Sequence, residues 1–287
     1  MGIRNDDVEQ ITAFVEMKVS LIISTYNWEE ALVRTLESVA RQSRLPDEII
    51  IADDGSREPT RIAVEQFAAG ISVPVKHIWH EDDGFRLAAI RNKAMAAATG
   101  DYLIQTDGDV VLDRHFTEDH VRMAKRGCYV VGSRVVLGES ISKRVLDGTQ
   151  RHLHPCLPDV GNRLNGIRCT ALSRLFASWR GHGARGCNMA FWREDAIATN
   201  GYDEQMRGWG HEDMEFAARL ENSGIRHRSL KFGGILYHIY HRPSSRSRED
   251  ENLDIFRRTV ARKATRCTEG IDKYLRRDND PTDGRTE

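Results

Sequence analysis

Four short apolar runs, separated by three stretches of helical spacing, constrain this chain more than any other feature. Val19-Ser-Leu-Ile-Ile-Ser24 is continuous and β-branched, the pattern of a strand buried on both faces. Asn27 reads as the N-cap of a helix over Glu29–Gln42, which puts Leu32, Val33, Leu36, Val39 and Ala40 on one face. Pro46 ends the connection, and Glu48-Ile-Ile-Ile-Ala52 is a second buried strand. Pro59 opens a helix that runs to about Ala69, with Gly70 as its stop. Val73–Trp79 is a third strand, Arg86–Ala98 a third helix closed by Gly100, and Asp101–Thr106 a fourth strand. This alternation predicts an α/β chain with a mostly parallel central sheet, flanked by helices and wound with right-handed crossovers.

In such sheets ligands bind at the carboxyl ends of the strands. Those ends here carry Ser24-Thr-Tyr-Asn27, Asp53-Asp54-Gly55-Ser56 and Asp107-Gly108-Asp109, all small and polar. Two carboxylates one residue apart raise each other's pKa unless a cation lies between them. A divalent metal bridging them to an anionic ligand, usually a phosphate, accounts for the pair; a polar turn is the plain alternative. Neither G-x-G-x-x-G after the first strand nor G-x-x-x-x-G-K-[ST] anywhere is present, so the standard dinucleotide and P-loop fingerprints are absent.

The 287 residues suffice for one large domain or two small ones. A net charge of -1 argues against a nucleic-acid partner. No apolar run approaches the ~20 residues needed to span a bilayer, and the acidic, mixed stretch Met1–Lys18 is not expected to be a signal peptide. Five scattered cysteines without a C-x-x-C pair favour neither disulfides nor a zinc cluster and fit a reduced, cytoplasmic setting.

After Val131 the pattern loosens. Lys143–Arg185 carries eight Lys/Arg and three His against only Asp147 and Asp159, and is expected to be helical around Arg168–Arg180. It reads either as a solvated insertion or as a surface for an anionic or membrane-associated substrate. Gly186–Trp192 is strand-like, and Glu212–Asn222 is helical with Met214, Phe216, Ala217 and Leu220 as its apolar positions. Leu253–Leu275 is expected to be a surface helix and the last dozen residues disordered.

Ser-Thr-Tyr-Asn27, Asp53-Asp-Gly-Ser56, Ala89-Ile-Arg-Asn92 and Thr106-Asp-Gly-Asp109, in this order, resemble the family 2 glycosyltransferases of the GT-A fold. Asn200-Gly-Tyr-Asp203 and Gly208-Trp-Gly-His-Glu-Asp-Met-Glu-Phe216 are similar to bacterial chondroitin polymerases and animal β-1,4-galactosyltransferases. The resemblance runs from Val19 to Pro243. It implies one GT-A domain over 17–245, with a nucleotide-sugar half (17–132), an acceptor and catalytic half (133–245), and a charged C-terminal helix and tail (246–287). It implies inverting transfer from a nucleoside-diphosphate sugar, a UDP-sugar by the Asp54 match, to a glycan or lipid-linked glycan, with Mn²⁺ or Mg²⁺.

Carried over residue by residue, Asp54 accepts a hydrogen bond from the base while Ser24 and Tyr26 hold or stack on it. Arg91 lies near the donor phosphates, and Asp107 contacts ribose or sugar or reaches the metal through water. Asp109 and His241 are metal ligands, with His238 as a further one; imidazole tilts the site toward Mn²⁺. Asp213 is the general base, Glu212 binds sugar hydroxyls, and Trp209 is the acceptor-stacking platform. His211 stands where the galactosyltransferases have Gly, beside the acceptor. From the residues alone, Arg91 reads equally as a surface ion pair, the histidines as a backbone-bonded pair, and Glu212 and Asp213 as ordinary helix-start acids. Peripheral membrane contact through 143–185 and a homodimer through the C-terminal helix are further expectations. A sugar nucleotidyltransferase lacks its Gly-rich loop here, and a degraded scaffold protein predicts loss of Asp109, His241 or Asp213, all present.

Overall fold

The structure, a computed structural model, describes residues 17–177, 184–242 and 245–275. In chain order its elements are β1 (Val19–Thr25), α1 (Glu29–Ala40), β2 (Glu48–Asp53), α2 (Glu58–Gly70), β3 (Val75–Trp79), α3 (Leu87–Ala97), β4 (Tyr102–Asp107) and β5 (Val110–Leu112). There follow α4 (Phe116–Met123), β6 (Cys128–Gly132), β7 (Val135–Leu137), α5 (Glu139–Leu146), β8 (Val160–Gly161) and α6 (Thr170–Leu175). The chain continues with β9 (Asn188–Trp192), α7 (Arg193–Ala198), α8 (Glu212–Asn222), β10 (Arg226–Leu230), β11 (Leu236–His238) and α9 (Glu249–Arg262).

Seven strands form the central sheet in the order β10-β6-β9-β4-β1-β2-β3, parallel except for β9. The expected α/β architecture is therefore present, and the first four strands pair as their spacing demands. Both faces of this block are covered. Leu21, Ile23, Ile49, Ile51 and Ile104 pack with Leu32, Leu36 and Val39 of α1. Ile22, Ile50 and Leu103 pack on the other face with Ala88 and Ile90 of α3 and Phe216 of α8. Each such aliphatic side chain contributes about 1.5–3 kcal/mol on burial, and two buried faces explain why these strands read as unbroken apolar runs. A smaller sheet, β5-β11-β7-β8, brings β11 alongside the end of β4.

Several local expectations are corrected. Asn27 does not cap α1. It has a left-handed φ of 45°, accepts from the Arg57 N–H at 2.9 Å, and donates its own N–H to Ser56 Oγ at 2.8 Å, tying the ends of β1 and β2 together. Helix α1 ends at Ala40 with Ala40 exposed and Val33 half-buried. Thr35 and Ser38 are buried in their place because their hydroxyls serve the β5 backbone, at 2.7 Å to Val110 O and 2.9 Å from the Leu112 N–H. The helix expected around Arg168–Arg180 is only Thr170–Leu175, and its residues 178–180 lie outside the described residues. The helix expected over Leu253–Leu275 stops at Arg262, where Lys263 turns left-handed (φ 49°). Nor is it a mere surface helix: Thr259 Oγ1 donates to buried Glu215 at 2.9 Å, and Ile271 is fully buried. The expected tail, 276–287, lies outside the described residues.

Candidate active site

The polar ends of β1, β2 and β4 converge because β1 pairs with both neighbours in parallel, with Ser24 opposite Ala52 and Asp107. Gly108 crosses directly over β1. Its N–H donates to Ser24 O at 2.7 Å, and a Cβ there would come within 3.0 Å of that oxygen. The tight crossing turns the two motif carboxylates apart. Asp107 points to Arg91 (Nη2–Oδ1 3.1 Å), whereas Asp109 points to His241 Nε2 at 3.3 Å and His238 Nε2 at 3.6 Å. Within the protein the two acids thus face different partners. Burial pushes the Asp107 carboxyl up, and Arg91 only partly opposes it.

Asp109, His238 and His241 fit a divalent cation. Their ligand atoms lie within 4.8 Å of one another, and Asp109 Oδ1 is buried with no hydrogen-bond partner among the described residues. His241 Nδ1 faces Arg242 O at 2.8 Å, which assigns its proton to Nδ1 and leaves the Nε2 lone pair toward Asp109. Trp28 packs edge-on against the same ring, with centroids 6.0 Å apart. Strand β11 supplies His238 and the chain just beyond it His241.

Arg91 is not a surface ion pair. It is 1% exposed and lies among Ser24 Oγ (3.3 Å), Asp107, Asp213 (2.8 Å) and Glu212 (3.4 Å), with the Tyr202 ring beneath it at 5.2 Å. Burial disfavours its charge, but the carboxylates and Tyr202 outweigh burial and raise its pKa, so it stays cationic. Within the protein it holds Asp107, Glu212 and Asp213 in place, and it lines the cavity.

Glu212 and Asp213 open α8, as expected, but the structure separates their environments. Asp213 accepts from Arg91, from the Gly186 N–H at 2.7 Å and from Tyr202 OH at 3.3 Å. Glu212 has the long Arg91 contact and a hydrogen bond from its own backbone; burial first, and Asp213 second, push its pKa up to about 7. Gly186 and Tyr202 were not singled out by the sequence. A Cβ on Gly186 would lie 2.4 Å from Asp213 Oδ1, so the close approach needs glycine. The one available signal was Tyr202 within Asn200-Gly-Tyr-Asp203.

Trp209 is 38% exposed between Gly208 and Gly210, whose φ values of 77° and 117° suit glycine. His211 also takes a left-handed φ of 68°, which accounts physically for a glycine at this position in the galactosyltransferases. Its ring stacks on Phe256 of α9 with centroids 6.2 Å apart. Tyr26 is half exposed, with its hydroxyl donating to Asp82 at 2.9 Å. Asp54 is buried, with one oxygen on His80 Nε2 (2.7 Å) and the other accepting the Arg86 N–H (2.9 Å). His80 was missed: it ends the run after β3 and carries no motif. Ser24, Tyr26, Asp54, Arg91, Asp107, Asp109, Trp209, His211, Glu212, Asp213, His238 and His241 all line one cavity of about 750 Å³. That volume suits a ligand of nucleotide-sugar size.

Residues 20–196 match the family model described as glycosyl transferase family 2, and residues 169–242 match the one described as the N-terminal domain of galactosyltransferase. The chain is 26% identical over 246 residues to chondroitin synthase of Escherichia coli, covering 77% of this chain and 34% of that protein. It is 29% identical over 237 residues to validoxylamine A glucosyltransferase of Streptomyces hygroscopicus subsp. limoneus, covering 72% and 48%. It therefore spans roughly a third to a half of these relatives' lengths. Among solved structures it is similar to a mannosyltransferase from Pyrobaculum calidifontis in complex with GDP-Man and Mn2+, with TM-score 0.60, 18% identity, and coverage of 89% of this chain and 71% of that one. It is also similar to S. aureus TarS 1-349 in complex with UDP, with TM-score 0.57, 16% identity, and coverage of 90% and 68%. At these identities the likeness is one of fold, the GT-A arrangement.

Proposed function

Because the chain belongs to glycosyl transferase family 2 and is a glycosyltransferase, we propose that it is inverting and metal-dependent. It moves a hexose or N-acetylhexosamine from a UDP-sugar to a hydroxyl of a glycan or lipid-linked glycan. The observation that carries this reading is the arrangement of the cavity. The orphaned Asp109 oxygen with its two histidines and the Arg91-held Asp213 line the same cavity. The exposed face of Tyr26 and the Asp54 carboxylate offer a flat surface and an acceptor for a pyrimidine base. UDP and GDP-Man in the structural neighbours support a nucleotide donor.

In this reading Asp109, His241 and His238 hold Mn²⁺ or Mg²⁺, which when bound offsets charge on the leaving diphosphate. Trp209 stacks on the acceptor sugar. The acceptor oxygen attacks the anomeric carbon, the bond from that carbon to the diphosphate oxygen breaks, and the electron pair leaves with the diphosphate. Asp213 takes the hydroxyl proton. Arg91, the Gly186 N–H and Tyr202 fix the position of the Asp213 carboxylate. One observation favours a second assignment: Glu212, with its pKa near 7 and few hydrogen bonds, has the basicity a general base needs at neutral pH. A lipid-linked acceptor at a cytoplasmic membrane face is supported by Leu164 and Leu175, highly exposed within the basic segment. No helix among the described residues is long and apolar enough to cross a membrane.

The test is release of nucleoside diphosphate from a panel of UDP-, GDP- and dTDP-sugars with Mn²⁺, Mg²⁺ or EDTA. Metal-dependent turnover of one donor, lost in Asp109→Ala and in Asp213→Asn, is expected. Absence of turnover together with absence of metal-dependent nucleotide binding overturns the proposal. Loss in Glu212→Gln with retention in Asp213→Asn assigns the base to Glu212.

A further inference from the structure

The cavity also takes in Arg134, just before β7, and Arg185, just before β9. The acids of the site already have partners within the protein. Arg91 serves Asp107, Glu212 and Asp213, His80 lies on Asp54, and the histidine pair faces Asp109. Arg134 and Arg185 come within ion-pair distance of no carboxylate among the described residues, and the nearby sequence 178–183, Ser-Trp-Arg-Gly-His-Gly, contains no acid. Both are anchored beside the reacting centre. Arg185 adjoins Gly186, whose N–H holds Asp213 Oδ2. The Arg134 turn is pinned from both sides: Asn165 Nδ2 donates to Arg134 O at 2.9 Å, and Asn188 Nδ2 donates to Ser133 O at 2.7 Å. Arg246, 4.8 Å over the ring of Trp209, is by contrast already paired with Glu249 at 3.7 Å, which leaves Arg134 and Arg185 as the uncompensated guanidinium groups of the cavity among the described residues.

A guanidinium facing a solvent-filled cleft without a counter-charge is a recognition element for a planar anion. Resting on the functional reading above, we propose that Arg134 and Arg185 form a subsite for a carboxylate or phosphate group carried by the acceptor saccharide, so that this enzyme glycosylates an acidic glycan. The donor diphosphate is a poorer match, because in the functional reading it belongs with Asp109 and its histidines, whereas Arg185 is next in the chain to Gly186, which holds Asp213.

The test uses the full chain saturated with UDP and Mn²⁺, titrated by calorimetry with methyl β-D-glucuronide, glucose 6-phosphate and the neutral methyl β-D-glucoside. At least one acidic sugar is expected to bind tenfold or more tightly than the neutral one, and that ratio is expected to fall to about one in Arg134→Gln/Arg185→Gln. Equal or undetectable binding of all three while UDP binds overturns the proposal. So does a double variant that weakens UDP tenfold and leaves the sugar ratio intact, since the arginines then serve the diphosphate. A preference for UDP-glucuronate over UDP-glucose that depends on the arginines moves the anion to the donor sugar and also overturns it. If UDP itself shows no metal-dependent binding, the functional reading fails first and the proposal falls with it.

Discussion

Arg91 Nη1 stands 2.8 Å from Asp213 Oδ1, and the other terminal nitrogen of the same guanidinium stands 3.1 Å from Asp107 Oδ1. One buried cation on α3 therefore joins the end of β4 to the start of α8, and Arg91 and Asp213 lie 122 residues apart in the chain. Removing it leaves three acids facing one another in a buried site. Arg91→Gln is expected to lower stability by about 3–5 kcal/mol, as for other broken buried pairs, and to abolish transfer. Arg91→Lys is expected to regain part of the stability but little activity, because one ammonium cannot span three carboxylates. Thermal unfolding alongside donor turnover checks both.

Glu212 gives a pH signature. Its folded pKa of about 7 lies above its ordinary carboxylate value of 4.5, so the protonated form is the one that folding favours. Its contribution to stability is fully present below pH 4.5 and is lost as the pH rises through about 7. Glu212→Gln is expected to remove that decline, narrowing the gap between the melting temperatures at pH 5 and pH 8. The activity profile should show an ascending limb near neutrality that belongs to the Glu212–Asp213 pair and vanishes in the variant.

Glu48 behaves in the opposite sense. Burial raises its pKa, but hydrogen bonds from Lys76, Ser20 and Thr99 outweigh burial and bring it down to about 2. Its stabilisation is present above pH 4.5 and lost as the pH falls through about 2. Glu48→Gln is expected to lower stability by about 1–3 kcal/mol at neutral pH and to flatten acid unfolding in that window, with no change in KM for donor. Denaturant titrations at pH 7 and pH 3 provide the check.

His241→Ala removes a proposed ligand whose lone pair is oriented by Arg242 O. Metal affinity is expected to drop by more than the roughly 10–100-fold typical of losing an outer-shell partner, measured by Mn²⁺ titration without any donor present. His238→Ala is expected to cost less, since its nitrogen stands farther from Asp109.

Gly186→Ala places a methyl 2.4 Å from Asp213 Oδ1 and 2.6 Å from Arg91 Nη2. The carboxylate must shift, and a misplacement of about 1 Å is expected to cost about 100-fold in kcat. KM for donor should change little, because the base-binding end of the cavity lies elsewhere.

The first half of the fold is legible in sequence for a physical reason. Strands buried on both faces advertise themselves as unbroken runs such as Glu48-Ile-Ile-Ile-Ala52, and their order forces the polar ends together. Tyr26, Asp109, Trp209 and Asp213 could be placed because they sit in short blocks of unusual residues. The second half is not legible in this way. Strands β5, β7 and β11 are three residues each, and β8 is two, too short for any periodicity. Arg91 could not be told from a surface arginine, since its burial depends on α8, more than a hundred residues later. Asn27 looked like a helix cap because the same side-chain oxygen serves either a helix or a neighbouring loop.

Strand β9 lies antiparallel between β4 and β6. The block β3-β2-β1-β4 is contiguous in sequence and can pair as it emerges. Strands β6 and β10 touch the rest of the sheet only through β9, which arrives about eighty residues after β4. Such non-local closure is slow relative to local pairing. During synthesis the polar ends of β1, β2 and β4 thus come together before Asp213 or His241 has been made, and the cavity is completed only by residues added much later.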